Sequence, residues 1–127
     1  MMMKVKVGTY SRRVLIRAFG WEIAILTWPS GTCSKKHDHS VWGVVIPLDG
    51  EVFEIPDGGK GTCYGAGQGV LDVRKGSIHT VGNVGRKTAH TLHAYHIGDD
   101  TKLRMNYFEH TAKDAAALAK LKARFVP

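Results

Sequence analysis

Short strand-like segments, separated by glycine and proline, constrain the fold of this chain more than any other feature. Of its 127 residues, 15 are glycine and 4 are proline. The segments between these breaks are rich in valine, isoleucine, threonine and aromatic residues, which favour β-strands. The predicted strands are residues 4–7, 13–17, 21–28, 41–48, 51–55, 70–73, 88–97 and 103–108. About eight short strands at this spacing predict an all-β protein, either a small barrel or a jelly roll.

The end of the chain has a different pattern, which predicts a short helix over about residues 112–124. Thr111 is a typical N-cap with an acidic residue three positions later, and the alanine-rich stretch that follows favours helix. Leu118, Leu121 and Phe125 recur at three- and four-residue intervals. We expect this apolar stripe to pack the helix against the barrel.

Length and composition predict one domain over residues 1–127, with the barrel over about 4–108. Hydrophobic residues make up 43% of the chain, but no apolar run approaches the roughly 20 residues of a membrane-spanning helix. The net charge is +7, yet the basic residues are scattered, which argues against a nucleic-acid module. Cys33 and Cys63 are too few for a disulfide framework. With no signal-peptide pattern at the start, we expect a cytoplasmic protein.

The histidines carry the most chemical information. His37 and His39 are two residues apart, so on a strand both side chains point to the same face. His79 follows a Lys75-Gly76 turn at the start of another strand. Brought alongside by the barrel, it would complete a set of three imidazoles around one metal ion.

These spacings resemble the two sequence motifs of the cupin superfamily. For the first motif, G-x5-H-x-H-x3,4-E-x6-G, the matching residues are Gly31, His37, His39 and Gly50. For the second motif, which ends in G-x2-H-x3-N, they are Gly76, His79 and Asn83. The departure is Gly43, which stands where the first motif has its glutamate. The resemblance implies a double-stranded β-helix, or jelly-roll barrel, in which the three histidines bind a metal.

The missing glutamate has a chemical consequence. Three neutral imidazoles leave a divalent metal with its full charge, whereas a carboxylate ligand would cancel half of it. Such a centre is a stronger Lewis acid and favours anionic ligands from solution. A thiol bound there would lose its proton.

Further segments resemble the cysteine dioxygenase, or thiol dioxygenase, family. Tyr10-Ser11-Arg12, then Trp28, Gly31 and His37-Asp38-His39, are similar to that family's order Y-x-R…W-x-x-G…H-D-H. Val41-Trp42-Gly43 resembles the bacterial branch, in which glycine replaces the crosslinked cysteine of animal enzymes. Ile78-His79-Thr80-Val81-Gly82-Asn83 is similar to I-H-R-V-x-N, and Thr91-Leu92-His93-Ala94-Tyr95 to S-x-H-x-Y. Thr80 and Gly82 stand where that family usually has an arginine and an acidic residue, and Thr91 stands in place of its serine.

The resemblance implies roles for the metal ligands and for the residues beside them. It implies ferrous iron on His37, His39 and His79, although zinc or nickel could fill the site as purified. Thr91, His93 and Tyr95 are the implied catalytic row, and positions i, i+2 and i+4 of one strand do share a face. On this view the threonine hydroxyl accepts a hydrogen bond from His93 and thereby fixes the tautomer of the imidazole.

An arginine is expected to bind the substrate carboxylate. The resemblance implies Arg12, since a guanidinium can form a bidentate pair with a carboxylate. Arg13 takes this position if the register slips by one residue. Arg104 resembles the arginine that mercaptopropionate dioxygenases use instead. The sequence leaves these alternatives open.

The leading functional hypothesis is an enzyme that oxidises a small thiol carboxylate, cysteine or a mercaptopropionate-like compound, to its sulfinate with dioxygen. The alternatives are a non-catalytic metal- or ligand-binding cupin and a cupin enzyme acting on a small molecule without a thiol. The expected partners are the thiol substrate and dioxygen, without nucleic acid or membrane, and a homodimer is left open. We expect His90 and His96 to face away from the row and His110 to lie at the surface.

Overall fold

Two sheets enclose the interior of the protein in the computed structural model, which describes residues 5–68 and 71–124. Twelve strands and one helix lie within these residues. The strands are β1 Lys6–Val7, β2 Ser11–Ala18, β3 Trp21–Trp28, β4 Thr32–Cys33, β5 Lys36–His37, β6 Gly43–Asp49, β7 Glu51–Pro56, β8 Thr62–Gly65, β9 Leu71–Val73, β10 His79–Asn83, β11 Ala89–His96 and β12 Tyr107–Phe108. The helix is α1, Ala112–Ala123.

One sheet has the order β2-β3-β11-β6-β9 with every neighbouring pair antiparallel. The long central strands β3 and β11 alternate between buried and half-exposed residues, because one face meets the interior and the other faces outward. The inward residues of β11 include Thr91, His93 and Tyr95. A polar row therefore lies inside the barrel.

The other sheet is built around β10. β4 and β5 pair with one edge of β10, and β7 pairs with the other edge. β1 extends the sheet beyond β4, β12 extends it beyond β5, and β8 extends it beyond β7. Val52 and Val81 of this sheet pack against Ala24, Leu26 and Trp28 of the first sheet, which forms the apolar core between the two.

The helix confirms the predicted cap. The Thr111 hydroxyl accepts from the Asp114 backbone N–H, and the Asp114 carboxylate accepts from the Thr111 N–H at 2.7 Å. Leu121 is buried against Phe53 and Ile55, and Leu118 packs against the same cluster. Phe125 lies outside the described residues.

The all-β prediction is confirmed, while several strand boundaries differ. The prediction for β3 matches both ends, but the predicted strand 103–108 is strand only at Tyr107–Phe108. The strands β4, β5 and β8 lie outside the predicted strand segments. Residue 4, at the start of one predicted strand, and residue 70, at the start of another, lie outside the described residues.

Candidate metal centre

Three buried histidines converge at the place where β5 meets β10. His37 ends β5 and His79 begins β10, and the two are paired in register. His39 follows two residues after His37. One potential ligand atom from each of the three side chains lies within 4.8 Å of the others. The expected set of imidazoles is thus brought together inside the barrel.

Hydrogen bonds assign the protons on two of these rings. The Nδ1 of His37 lies 2.7 Å from the carbonyl oxygen of Lys35, which can only accept, so this Nδ1 carries the proton. The Nδ1 of His79 lies 2.8 Å from a carboxylate oxygen of Glu54 and donates to it. Burial, with the neighbouring His79, lowers the pKa of His37 to about 4, so its imidazole is neutral at pH 7.

Two ring nitrogens face each other. The Nε2 atoms of His37 and His79 are 3.1 Å apart, and when both imidazoles are neutral and donate from Nδ1, neither Nε2 carries a proton. A cation between the two atoms would satisfy both. Two imidazole nitrogens bound at about 2.1 Å and at right angles would lie roughly 3.0 Å apart. The residues thus fit a divalent transition metal, and imidazole ligands suit zinc, copper, iron and nickel alike.

The polar row on β11 reaches this cluster. The Thr91 hydroxyl lies 2.7 Å from Nε2 of His93, and Nδ1 of His93 lies 3.0 Å from the Tyr95 hydroxyl. The Tyr95 hydroxyl lies in turn 3.2 Å from Nε2 of His39, and the two rings stack. The three residues form a continuous hydrogen-bonded chain ending at a candidate ligand.

Trp28 sets the direction of this chain. Its indole N–H, which can only donate, reaches the Thr91 hydroxyl at 2.8 Å. Thr91 is fully buried, and among the described residues its remaining hydrogen-bond partner is His93. Its single proton therefore goes to His93 Nε2, and His93 donates from Nδ1 to Tyr95. This direction is the reverse of the one expected from the sequence.

The side chains of His93 and Tyr95 in this hydrogen-bonded row are both neutral at pH 7. Burial, together with the positive charge of Arg12, lowers the pKa of His93 to about 3, and burial raises the pKa of Tyr95 above its ordinary value. His93 donates to the Tyr95 oxygen, so the Tyr95 proton is free to point toward His39 and the small cavity that the three histidines line. The phenol is a positioned donor.

The absence of a side chain at Gly43 leaves room for the Tyr95 ring. The two residues are paired between β6 and β11. A Cβ at position 43 would lie 2.5 Å from the Tyr95 ring and 2.5 Å from the Ala94 carbonyl oxygen. The tyrosine ring thus takes the space in which a glutamate side chain at the motif position would begin.

The structure separates the three candidate arginines. Arg12 lines the cavity beside the histidines, whereas Arg13 is exposed. The Arg104 side chain is 69% exposed, bonds Asp100 and is not among the residues that line the cavity.

Glu22 holds Arg12 in place. Its buried carboxylate pairs with Arg12 and with Arg17, the latter at 2.6 Å. Burial alone would raise the pKa of Glu22, but hydrogen bonds from Arg17 and Arg12 outweigh it and lower this pKa. The three charged groups together carry one excess positive charge, so the Arg12 end remains attractive to an anion.

The cavity itself is narrow and mostly apolar. The space open to the centre of a water molecule is about 30 Å³, so a bound molecule must be small. Beyond the histidines, Arg12 and Tyr95, the wall includes Leu26, Val45, Val81, Leu103 and Met105.

The remaining histidines are placed elsewhere. His90 bonds Asp49 at 2.8 Å on the outer side of β11, and His96 is exposed and stacks on Trp42. His110 is exposed.

Sequence reasoning missed Glu22, Glu54 and the contact of Trp28 with Thr91. The alternation along residues 21–28 could have placed Glu22 on the inner face with Trp28. Nothing in the sequence indicates that Glu54 contacts His79, because 25 residues separate them.

Comparison with solved structures identifies the architecture. A cupin-like protein from Thermotoga maritima superposes with a TM-score of 0.70 at 13% identity, covering 85% of this chain and 84% of its own. A protein from Methanocaldococcus jannaschii, described as RmlC-like cupin family with a double-stranded β-helix fold, gives 0.65 at 16%, covering 71% and 82%. The fold is that of the cupins. An oxalate oxidase also has this cupin fold, with a TM-score of 0.60 at 17% identity, covering 74% of this chain and 53% of its own.

No protein-family model matches the chain, and a search of curated proteins finds no match. Among the described residues, no helix is long and apolar enough to cross a membrane.

Proposed function

We propose that this cupin is a mononuclear non-haem iron thiol dioxygenase that converts a small thiol carboxylate to its sulfinate. The observation that carries the proposal is the convergence, on one narrow cavity, of three candidate metal ligands, a directed tyrosine hydroxyl and a guanidinium. A thiol carboxylate has a thiol that could bind the metal and a carboxylate that could pair with the guanidinium. The overall reaction balances as thiol plus dioxygen giving sulfinic acid, without a further reductant.

His37, His39 and His79 would hold the metal through imidazole nitrogens. A ferrous ion there would supply Lewis acidity toward the thiol and the electrons that make dioxygen reactive. The choice of iron rests on the resemblance of the sequence to thiol dioxygenases, and zinc or nickel could occupy the same nitrogens in purified protein.

The residues of the chain would orient the substrate. Arg12, braced by Glu22, would pair with the carboxylate and so fix the distance from it to the sulfur. The Tyr95 hydroxyl, held by His93, would donate a hydrogen bond toward the reacting atoms. The apolar wall would exclude water from the reaction.

The direct test is oxygen consumption by iron-loaded protein with cysteine, mercaptopropionate, homocysteine and mercaptosuccinate. We expect uptake with at least one thiol and a sulfinate carrying both atoms of labelled dioxygen. Serine, which lacks the thiol, is the control, and oxalate is included because an oxalate oxidase shares the fold. Absence of uptake with every thiol at full iron occupancy would reject the proposal.

A pair of variants separates the arginines. Arg12→Gln should raise KM for the active thiol tenfold or more, because a charge-assisted bond to the carboxylate contributes roughly 1.5–3 kcal/mol. Arg104→Gln, at an exposed position outside the cavity, should leave KM unchanged. The reverse pattern would assign the carboxylate to Arg104.

The cytoplasmic location stays a prediction. The sequence leaves a homodimer open, and neither the location nor the oligomeric state bears on the oxygen-uptake test.

A further inference from the structure

The three candidate ligands differ in the hydrogen-bond partner of their Nδ1 atoms. His79 donates from Nδ1 to the Glu54 carboxylate at 2.8 Å, and His37 donates to a backbone carbonyl at 2.7 Å. The Nδ1 of His39 is buried and has no hydrogen-bond partner among the described residues. A negative charge therefore supports one imidazole of the set.

Glu54 is fixed in place by its strand. On β7 it pairs with Val81 of β10 and with Thr62 of β8, so strands flank it on both sides. Its side chain is only 17% exposed. The contact with His79 thus joins two ordered groups, and its geometry is set by backbone pairing between β7 and β10.

The charge of Glu54 has a specific use here. Because Gly43 occupies the position of the motif's glutamate, the candidate ligand set consists of three imidazoles and no carboxylate. A carboxylate that accepts the imidazole proton makes the opposite nitrogen a stronger donor and places negative charge one ring away from a bound cation. It would favour metal binding and the higher oxidation state of a redox-active metal.

We propose that Glu54 is a positioning residue that acts through His79, supplying from outside the ligand set the negative charge that the missing motif glutamate would have supplied from within. This inference rests on the metal centre of the proposed function and not on its thiol substrate. The ligand class is a divalent transition-metal ion.

The test compares metal binding by wild type and Glu54→Gln in competition with a chelator, using Co²⁺ and Zn²⁺. Glutamine keeps an oxygen that can accept from Nδ1 but removes the charge. We expect metal affinity to fall ten- to a hundred-fold, the usual cost of losing such an outer partner. In iron-loaded protein, the midpoint potential should become more positive.

The matched control is Glu51→Gln, which removes one carboxylate from the same strand; among the described residues, Glu51 has no hydrogen bond or ion pair with a histidine. It should leave both metal affinity and potential unchanged. Glu54→Asp keeps the charge and should retain the wild-type potential more closely than Glu54→Gln, which gives a second comparison if the glutamine variant folds poorly. Thermal unfolding of the metal-free proteins checks that the folds are equivalent.

Two results would overturn the inference, and they are distinguishable. If Glu54→Gln binds metal within twofold of wild type and has the same potential, Glu54 has no such role, while the proposed function stands. If wild type itself binds neither metal, the metal centre fails and this inference fails with it.

Discussion

At the scale of single residues, Tyr95 depends on the absence of a side chain one strand away. Gly43 leaves the space that the tyrosine ring fills, and the ring brings its hydroxyl to within 3.2 Å of His39 Nε2. Gly43 thus removes a possible carboxylate ligand and at the same time provides the space that the Tyr95 ring occupies.

Gly43→Ala tests this dependence. Its Cβ would overlap the Tyr95 ring and the Ala94 carbonyl, so the ring must shift. We expect about 1–3 kcal/mol lower free energy of unfolding and at least tenfold lower thiol-dependent oxygen uptake, with metal content retained. Tyr95→Phe keeps the ring and removes the hydroxyl, which leaves the buried His93 N–H unpaired. It should lower oxygen uptake with metal content retained.

Gly65→Ala is the matched control, since a Cβ there meets the end of the Gln68 side chain at 3.0 Å and backbone, the Gly50 oxygen, no closer than 3.6 Å. Full activity in Gly43→Ala would show that the position of the Tyr95 ring does not matter for the reaction.

Residue types and spacing predicted which residues come together in the candidate site, but they did not predict the direction of the hydrogen bonds between them. The row on β11 follows from i, i+2 alternation, which is a local property of strands, whereas His39 lies beyond the end of β5. The direction of the row depends on Trp28, a partner 63 residues from Thr91, and strand pairing of this kind is not encoded in a local pattern.

At the scale of elements, an ion cluster ties the helix to the strand that carries His37. Lys36 of β5 is buried and pairs with Asp57 at 2.6 Å and with Asp114 of α1 at 3.0 Å. Hydrogen bonds to these two carboxylates raise the pKa of Lys36. Asp114 also closes the helix cap, so one carboxylate joins α1 to the edge of the site.

This cluster predicts acid sensitivity. Burial alone would raise the pKa of Asp114, but hydrogen bonds from Thr111 and Lys36 outweigh it and lower the pKa from its ordinary 3.8. A lowered pKa means that the unfolded chain takes up the proton first as pH falls. The stability from Asp114 is therefore present above about pH 4 and is lost as pH falls below it.

Denaturant unfolding between pH 7 and pH 3 checks this. We expect Asp114→Asn to lower the free energy of unfolding by about 2 kcal/mol at pH 7 and to flatten its decline in acid. Asp99→Asn, at an exposed turn position, should keep the wild-type profile. An Asp114→Asn profile parallel to wild type would mean that this carboxylate does not titrate with folding.

Sequence patterns predicted the long strands β3 and β11 to within one residue at each end. β3 and β11 show eight residues of alternation, whereas β4 and β5 have two residues each and too little pattern to detect. β10, His79–Asn83, is buried at every position and partly polar, so it lacks the alternation that marks a half-exposed strand.

At the scale of the whole molecule, the cupin fold places a site between two sheets. Each sheet contributes a different kind of group: the candidate ligands come from the β5–β10 side, and Arg12, His93 and Tyr95 come from the other. Solved cupins with the same fold are only 13–17% identical to this chain, so the fold supports the placement of a site without fixing its chemistry.

The central claim is that His37, His39 and His79 bind one divalent metal ion, and an anaerobic Co²⁺ titration tests it most directly. The account predicts one equivalent per chain for wild type and for His90→Ala, whose histidine lies on the outer side of β11. It predicts at least a hundredfold weaker binding when any of the three is replaced by alanine. Binding of the same stoichiometry and affinity after replacement of all three histidines would contradict it.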